Sequence, residues 1–112
     1  MKIAIVGSRG VVAKGLETYV TDGDEIVSGG ALGVDCLAAE YAKNHGLKLT
    51  EFLPQYEIYG RGAPIVRNKQ IVDYCDQIVA FWDGASKGTL SVIRYAQKIG
   101  KPCRIILCPK EE

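Results

Sequence analysis

Apolar residues come in short unbroken runs, separated by longer stretches in which they recur every three or four positions. The two patterns alternate along the whole chain. Ile3–Val6 is such a run and predicts a first strand, followed by a turn at Gly7-Ser8-Arg9-Gly10. Val11–Val20 predicts a helix with Leu16, Tyr19 and Val20 on its inner face, weakened by Gly15. Asp22-Gly23-Asp24 punctuates, and Glu25–Ser28 predicts a second strand that ends in a glycine turn. The next helix runs from about Gly33 to Asn44, with Leu37, Ala38, Tyr41 and Ala42 at helical spacing, and stops at His45-Gly46. Leu47–Leu53 predicts a third strand, and Pro54 opens the longest connection, Gln55–Ala63. Pro64 suits a first helical position, with Ile65–Tyr74 as the helix behind it. Gln77–Trp82 predicts strand four, Asp83–Thr89 a polar turn, and Leu90–Ile99 a helix ended by Gly100-Lys101-Pro102. Cys103–Cys108 predicts strand five, and the tail Pro109–Glu112 is expected to fray.

Strands this apolar are expected to be buried on both faces, which is the pattern of a parallel sheet between two layers of helices. Right-handed crossovers leave few topologies. The expectation is an α/β fold: a Rossmann-like three-layer sandwich whose five-stranded parallel sheet has the order 3-2-1-4-5. In that order the chain reverses between strands one and four, and ligands bind at the carboxyl ends there.

Composition narrows the function classes. One domain of 112 residues, 47% hydrophobic and 24% charged, is an ordinary globular chain. A net charge of +1 argues against a strongly basic nucleic-acid module while permitting a local basic patch. No apolar stretch approaches the roughly 20 residues that span a bilayer, and Met1–Val6 is far too short for a secretory signal. A cytoplasmic protein with no membrane partner is expected. Cys36, Cys75, Cys103 and Cys108 show no C-x-x-C spacing and only His45 could join them, so no metal site is assigned. Buried, reduced thiols are the expectation. His45, before Gly46, is expected to meet the last carbonyls of its helix. No cofactor is implied, and a homo-oligomer is left open.

Three loops converge on the expected switch point: Gly7-Ser8-Arg9, Ser28–Asp35 and Asp83–Thr89. Gly29, Gly30 and Gly33 leave backbone amides uncovered at a helix start, where the helix dipole favours an anion. The same glycines could serve only close strand–helix packing. Arg9 either forks onto a phosphate or pairs with Asp83 or Asp35. Ser86, Lys87, Gly88 and Thr89 offer hydroxyls, an ammonium and bare amides that suit phosphate oxygens, with helix capping as the other use of Thr89. Asp35 accepts from ribose hydroxyls or complements its helix dipole. Tyr56 and Tyr59 stack on a base or staple their loop to the core. Arg67 is expected to reach phosphate and Asn68 to tie the loops together. Neither a G-x-G-x-x-G nor a G-x-x-x-x-G-K-[ST] pattern occurs.

Four segments taken together resemble the SLOG superfamily, which joins the DNA-processing protein A (SMF) proteins to the Lonely Guy proteins. They are Gly7-Ser8-Arg9; Ile26-Val27-Ser28-Gly29-Gly30-Ala31-Leu32-Gly33-Val34-Asp35; Tyr59-Gly60 with Arg67-Asn68; and Phe81-Trp82-Asp83-Gly84-Ala85-Ser86-Lys87-Gly88-Thr89. The resemblance runs from Met1 to about Pro109 and is closest to the small stand-alone members. It implies a Rossmann-like sheet that binds a nucleotide or nucleotide derivative at the same rim, as a sensor or binding module. Lonely Guy enzymes are N-glycosidases that cleave nucleoside monophosphates with a glutamate in the motif P-G-G-x-G-T-x-E-E. Here Gly88-Thr89-Leu90 is followed by Ser91-Val92, so that carboxylate is missing, no catalytic residue is assigned, and hydrolysis stands second. The DNA-processing relatives bind single-stranded DNA, and their Ser-Gly-x-Ala-x-Gly-x-Asp pattern matches Ser28–Asp35. Nucleic acid stands third, because the near-zero charge exerts little nonspecific pull on a phosphate backbone.

Overall fold

A computed structural model of the chain describes residues 1–8, 10, 11, 14–30 and 34–108, with the backbone alone for Asp35. The expectations placed on Arg9, Gly33, the Asp35 side chain and the Pro109–Glu112 tail lie outside the described residues, as does part of the first expected helix, Val12-Ala13.

The five strands β1 (Lys2–Gly7), β2 (Glu25–Ser28), β3 (Lys48–Glu51), β4 (Gln77–Trp82) and β5 (Cys103–Leu107) form one sheet in the order β3-β2-β1-β4-β5. Every pairing is parallel. Helix α1 (Val34–Asn44) lies on one face, and α3 (Ala63–Tyr74) and α4 (Lys87–Ile99) on the other, with the single turn α2 (Tyr56–Tyr59) before α3. This is the expected Rossmann-like three-layer sandwich. The unbroken apolar run of β1 has a direct cause. Ile3 and Ile5 enter the core under α1, while Ala4 and Val6 enter the core under α3 and α4. No helix among the described residues is long and apolar enough to cross a membrane.

The structure corrects two expectations about the layers. The crossover from β1 to β2 is not the helix expected over Val11–Val20; its described part holds only a 3-10 turn, Leu16–Thr18. Gly15 sits immediately before that turn at φ 72°, outside the helical region, which stops an α-helix from running through it. The inward residues still reach the core: Leu16 and Val20 are buried, and Tyr19 packs against the same core half-buried. The second correction concerns burial of all five strands. The edge strands β3 and β5 have no position that is fully buried, and Ile105 and Leu107 of β5 are exposed. An edge strand has a neighbour on one side only, so Leu49, Cys103 and Ile106 pack against the two cores while remaining partly exposed.

Smaller differences follow local chemistry. Helix α4 starts at Lys87 rather than Leu90, so Lys87, Gly88 and Thr89 form its first turn. Helix α3 begins at Ala63 with Pro64 in its first turn, close to the expected start, but Ile65 is exposed and Ile71 and Val72 carry the inner face. His45 meets the end of α1 as expected: its Nδ1 lies 2.9 Å from the Tyr41 carbonyl and its ring stacks on Tyr41. Cys36 is exposed on α1, against the expectation of burial, while Cys75 is buried and burial pushes its thiol up to about 11.

At the amino end of the sheet, Glu25 collects three partners. Tyr74 donates to its Oε2 at 2.5 Å and Thr50 at 2.7 Å, and the Lys48 ammonium lies 3.4 Å from Oε1. Tyr74 above all, against the opposing effect of burial, holds the Glu25 carboxyl below its ordinary 4.5. A carboxyl depressed in the folded state contributes stability that is complete above its unfolded pKa and lost as pH falls through the lower folded value. Tyr74→Phe is therefore expected to flatten the loss of stability below about pH 4.5, read by urea denaturation at successive pH values. A variant that loses stability on acidification as steeply as the parent chain would show that this contact does not set the Glu25 pKa.

Candidate functional site

The carboxyl ends of β1, β2 and β4 meet where the strand order reverses, and buried polar contacts lock the loops that leave them. Ser8 is the hub. Its N–H donates to the Phe81 carbonyl at 3.0 Å, extending the β1–β4 ladder by one residue. Its Oγ accepts the Asp83 N–H at 3.3 Å and lies 3.2 Å from the Thr89 hydroxyl on α4. Ser8 is 2% exposed and Thr89 5%, so these two hydroxyls need internal partners and find each other. Thr89 is not the cap of α4, a position held by Ser86; its hydroxyl pins α4 to the end of β1.

Between β4 and α4 the chain is shaped by Asp83 and Trp82. Asp83 Oδ1 accepts the N–H groups of Ala85 at 2.9 Å and Ser86 at 2.7 Å, an Asx-type turn that delivers the backbone into the helix. The Trp82 indole N–H donates to the Ser86 carbonyl at 3.0 Å, fixing the same residue from the other side. Sequence reasoning missed that tie, whose only signal was a tryptophan four positions before the N-cap. Ser86 stands at the N-cap without a side-chain cap bond, and Lys87 and Gly88 behind it are exposed. The amides of Lys87, Gly88 and Thr89 belong to the first turn of a helix, where no intrahelical acceptor exists for them. At Gly88 an added Cβ would meet nothing within 4 Å, so the space in front of this turn is open.

The β2 loop is held from below. Ser28 is fully buried; its Oγ accepts the Gly30 N–H at 3.3 Å and its carbonyl accepts the Phe52 N–H at 2.9 Å. Arg67 on α3 donates from Nη1 to the Gly29 carbonyl at 2.8 Å and from Nε to Asn68 Oδ1 at 2.9 Å. Arg67 is therefore the tie between α3 and the glycine loop, a role expected of Asn68, and Asn68 orients the guanidinium. Gly30 has φ 69°, and a Cβ there would stand 2.3 Å from Leu53 Cδ2 and 3.4 Å from Glu51 Oε2. Gly7 is confined by a buried neighbour, its added Cβ falling 2.4 Å from Val34 Cγ2. At Gly7 the constraint is close strand–helix packing, whereas at Gly30 it is the left-handed backbone, since Leu53 is an exposed side chain free to turn away. A substitution at Gly30 would strain the turn before it reached any ligand.

Of the expected ligand residues, Gly29, Gly30, Asp83, Ser86, Lys87 and Gly88 sit in the loops at the carboxyl ends of β2 and β4, while Ser8, Ser28 and Thr89 are buried beneath them; Gly7 ends β1, and Arg67 and Asn68 lie on α3. Tyr56 and Tyr59 on α2 are 59% and 43% exposed, so they do not staple their loop to the core. Among the described residues no group of three His, Cys, Asp or Glu side chains is placed to hold a metal ion. A separate cavity of about 480 Å³ opens at the other end of the sheet, between Thr18, Tyr19, Gln77, Cys103 and Arg104. Thr18, the last residue of the 3-10 turn, and Tyr19 after it form part of its wall.

Exposed Lys87 and Gly88 belong to the first turn of α4, where backbone N–H groups have no intrahelical acceptor. The positive end of a helix dipole at such a turn favours an anion. Compared with protein-family models, with curated proteins and with solved structures, the chain matches none.

Proposed function

We propose that the protein binds a phosphate-bearing nucleotide or nucleotide derivative at this rim, as a sensor or binding module, and that it belongs with the SLOG proteins its motifs resemble. The observation that carries the reading is the pinning of the β1 and β4 loops to each other at the switch point by Ser8 and Thr89, with the first turn of α4 exposed beside them. A cradle whose dipoles are fixed before the ligand arrives loses little free energy in ordering them. Phosphate meets the amides of Lys87 and Gly88 and the Lys87 ammonium, and the Gly29-Gly30 loop borders the same space.

Gly88→Leu tests this, because the site is open and the backbone is helical. The branched side chain shields the first-turn amides, while helix propensity favours leucine over glycine by roughly 0.5–1 kcal/mol. Thermal melts are expected to hold or rise. Calorimetry against mono-, di- and cyclic nucleotides is expected to show binding weakened at least about tenfold, a loss of about 1.4 kcal/mol. Lys87→Ala is expected to cost less, about 1 kcal/mol or below, since it removes one exposed charge. Normal nucleotide binding by folded Gly88→Leu would sink the proposal. Release of free base from a nucleoside monophosphate would favour the N-glycosidase, and a salt-sensitive shift with oligonucleotides the single-stranded nucleic-acid binder.

A further inference from the structure

We propose that two copies of this chain pair through their β5 edges, antiparallel about a two-fold axis at Ile105, joining the two five-stranded sheets into one. The hydrogen bonds that hold β5 in the sheet decide which of its backbone groups face outward. The Ile78 N–H donates to the Pro102 carbonyl and the Cys108 N–H to the Trp82 carbonyl, so even-numbered residues of β5 turn their backbone groups toward β4. Cys103, Ile105 and Leu107 therefore turn theirs outward, three N–H and three C=O groups in a row along a sheet edge. Antiparallel pairing with Ile105 opposite Ile105 sets Cys103 against Leu107 on either side, and this register matches all six outward groups with partners. Sliding it by two residues leaves some of them unmatched.

Side chains agree with the backbone. Ile105 is 41% exposed and Leu107 69%, and they share the face of the strand that Cys103 occupies. The register therefore builds a continuous apolar ladder from Cys103, Ile105 and Leu107 of both copies. Arg104 projects from the opposite face, lies over the Tyr19 ring and stands across from Ile106 rather than from itself. The other edge differs. Strand β3 is four residues long, with exposed Lys48 and Glu51 at its ends, the charged and short form that discourages pairing. Cys103–Leu107 contains no proline, lysine or acidic residue to guard it. Pairing β5 with β5 closes a two-fold dimer, whereas β5 against β3 would run on into an open filament.

Sedimentation equilibrium of the full chain is expected to give twice the 12.2 kDa protomer mass. Ile105→Pro removes an outward N–H and no bond to β4, so it is expected to raise the dimer dissociation constant at least about tenfold while far-UV circular dichroism is kept. Leu107→Lys places a charge on the exposed edge without touching the backbone and is expected to do the same, which decides the matter should the proline variant fail to fold. A parent chain that is monomeric at 100 µM, an open-ended oligomer, or a dimer that Leu107→Lys leaves intact would each overturn the proposal.

Discussion

Gly7→Ala is expected to destabilise the protein by about 2–3 kcal/mol, the upper part of the range for overpacking a tightly filled site. The added methyl would lie 2.4 Å from Cγ2, 2.7 Å from Cβ and 3.0 Å from Cγ1 of Val34. A rotamer change cannot relieve the second of these contacts, because it involves the atom on which the side chain turns. The start of α1 must move off the end of β1, and Val34, 1% exposed, must give up part of its burial with it. Urea denaturation measures the loss directly. A loss below about 1 kcal/mol would mean that α1 slides without resistance.

Phe81→Ala is expected to cost about 3 kcal/mol, toward the lower end of the roughly 3–5 kcal/mol seen for deleting a buried ring. Phe81 is the largest of the fully buried side chains, at 1% exposure, and meets Tyr19 edge-on with ring centroids 6.1 Å apart. What covers it decides where in the range the effect falls. Under a rigid helix the cavity would persist, and the cost rises with the volume left behind. Here the cover over this part of β4 includes the 3-10 turn at Leu16–Thr18, with Tyr19 beside it, tied by bonds such as Thr18 N–H to the Gly15 carbonyl. Such a segment settles into the space more readily than a docked helix. The melting temperature is expected to fall by roughly 12 °C for a chain of this size. A loss above about 5 kcal/mol would show that the crossover is as unyielding as the helix it replaces.

Strands β1, β2 and β4 were legible in the chain because a buried parallel strand must be apolar at nearly every position, and a run such as Gln77–Trp82 has few other uses. Helices α3 and α4 were legible through Pro64 and through the Gly100-Lys101-Pro102 stop, which act on the backbone within one or two residues. The rim was legible as a place, since the strand order alone puts the ends of β1, β2 and β4 side by side. Periodicity reports which residues are buried and not the backbone that carries them, so Leu16 and Val20 were read as inward while their helix is absent. Edge exposure at Ile105 and Leu107 depends on how far neighbouring elements extend, and no residue of β5 records that. The same holds for polar partners. Ser8 and Thr89 are 81 positions apart, Arg67 and Gly29 are 38, and each pair meets only once the sheet has formed between them. A hydroxyl or a guanidinium carries the same bonding capacity in any sequence; what it bonds is set by the groups that folding buries beside it, because leaving a buried polar group unmatched costs more than a made bond contributes.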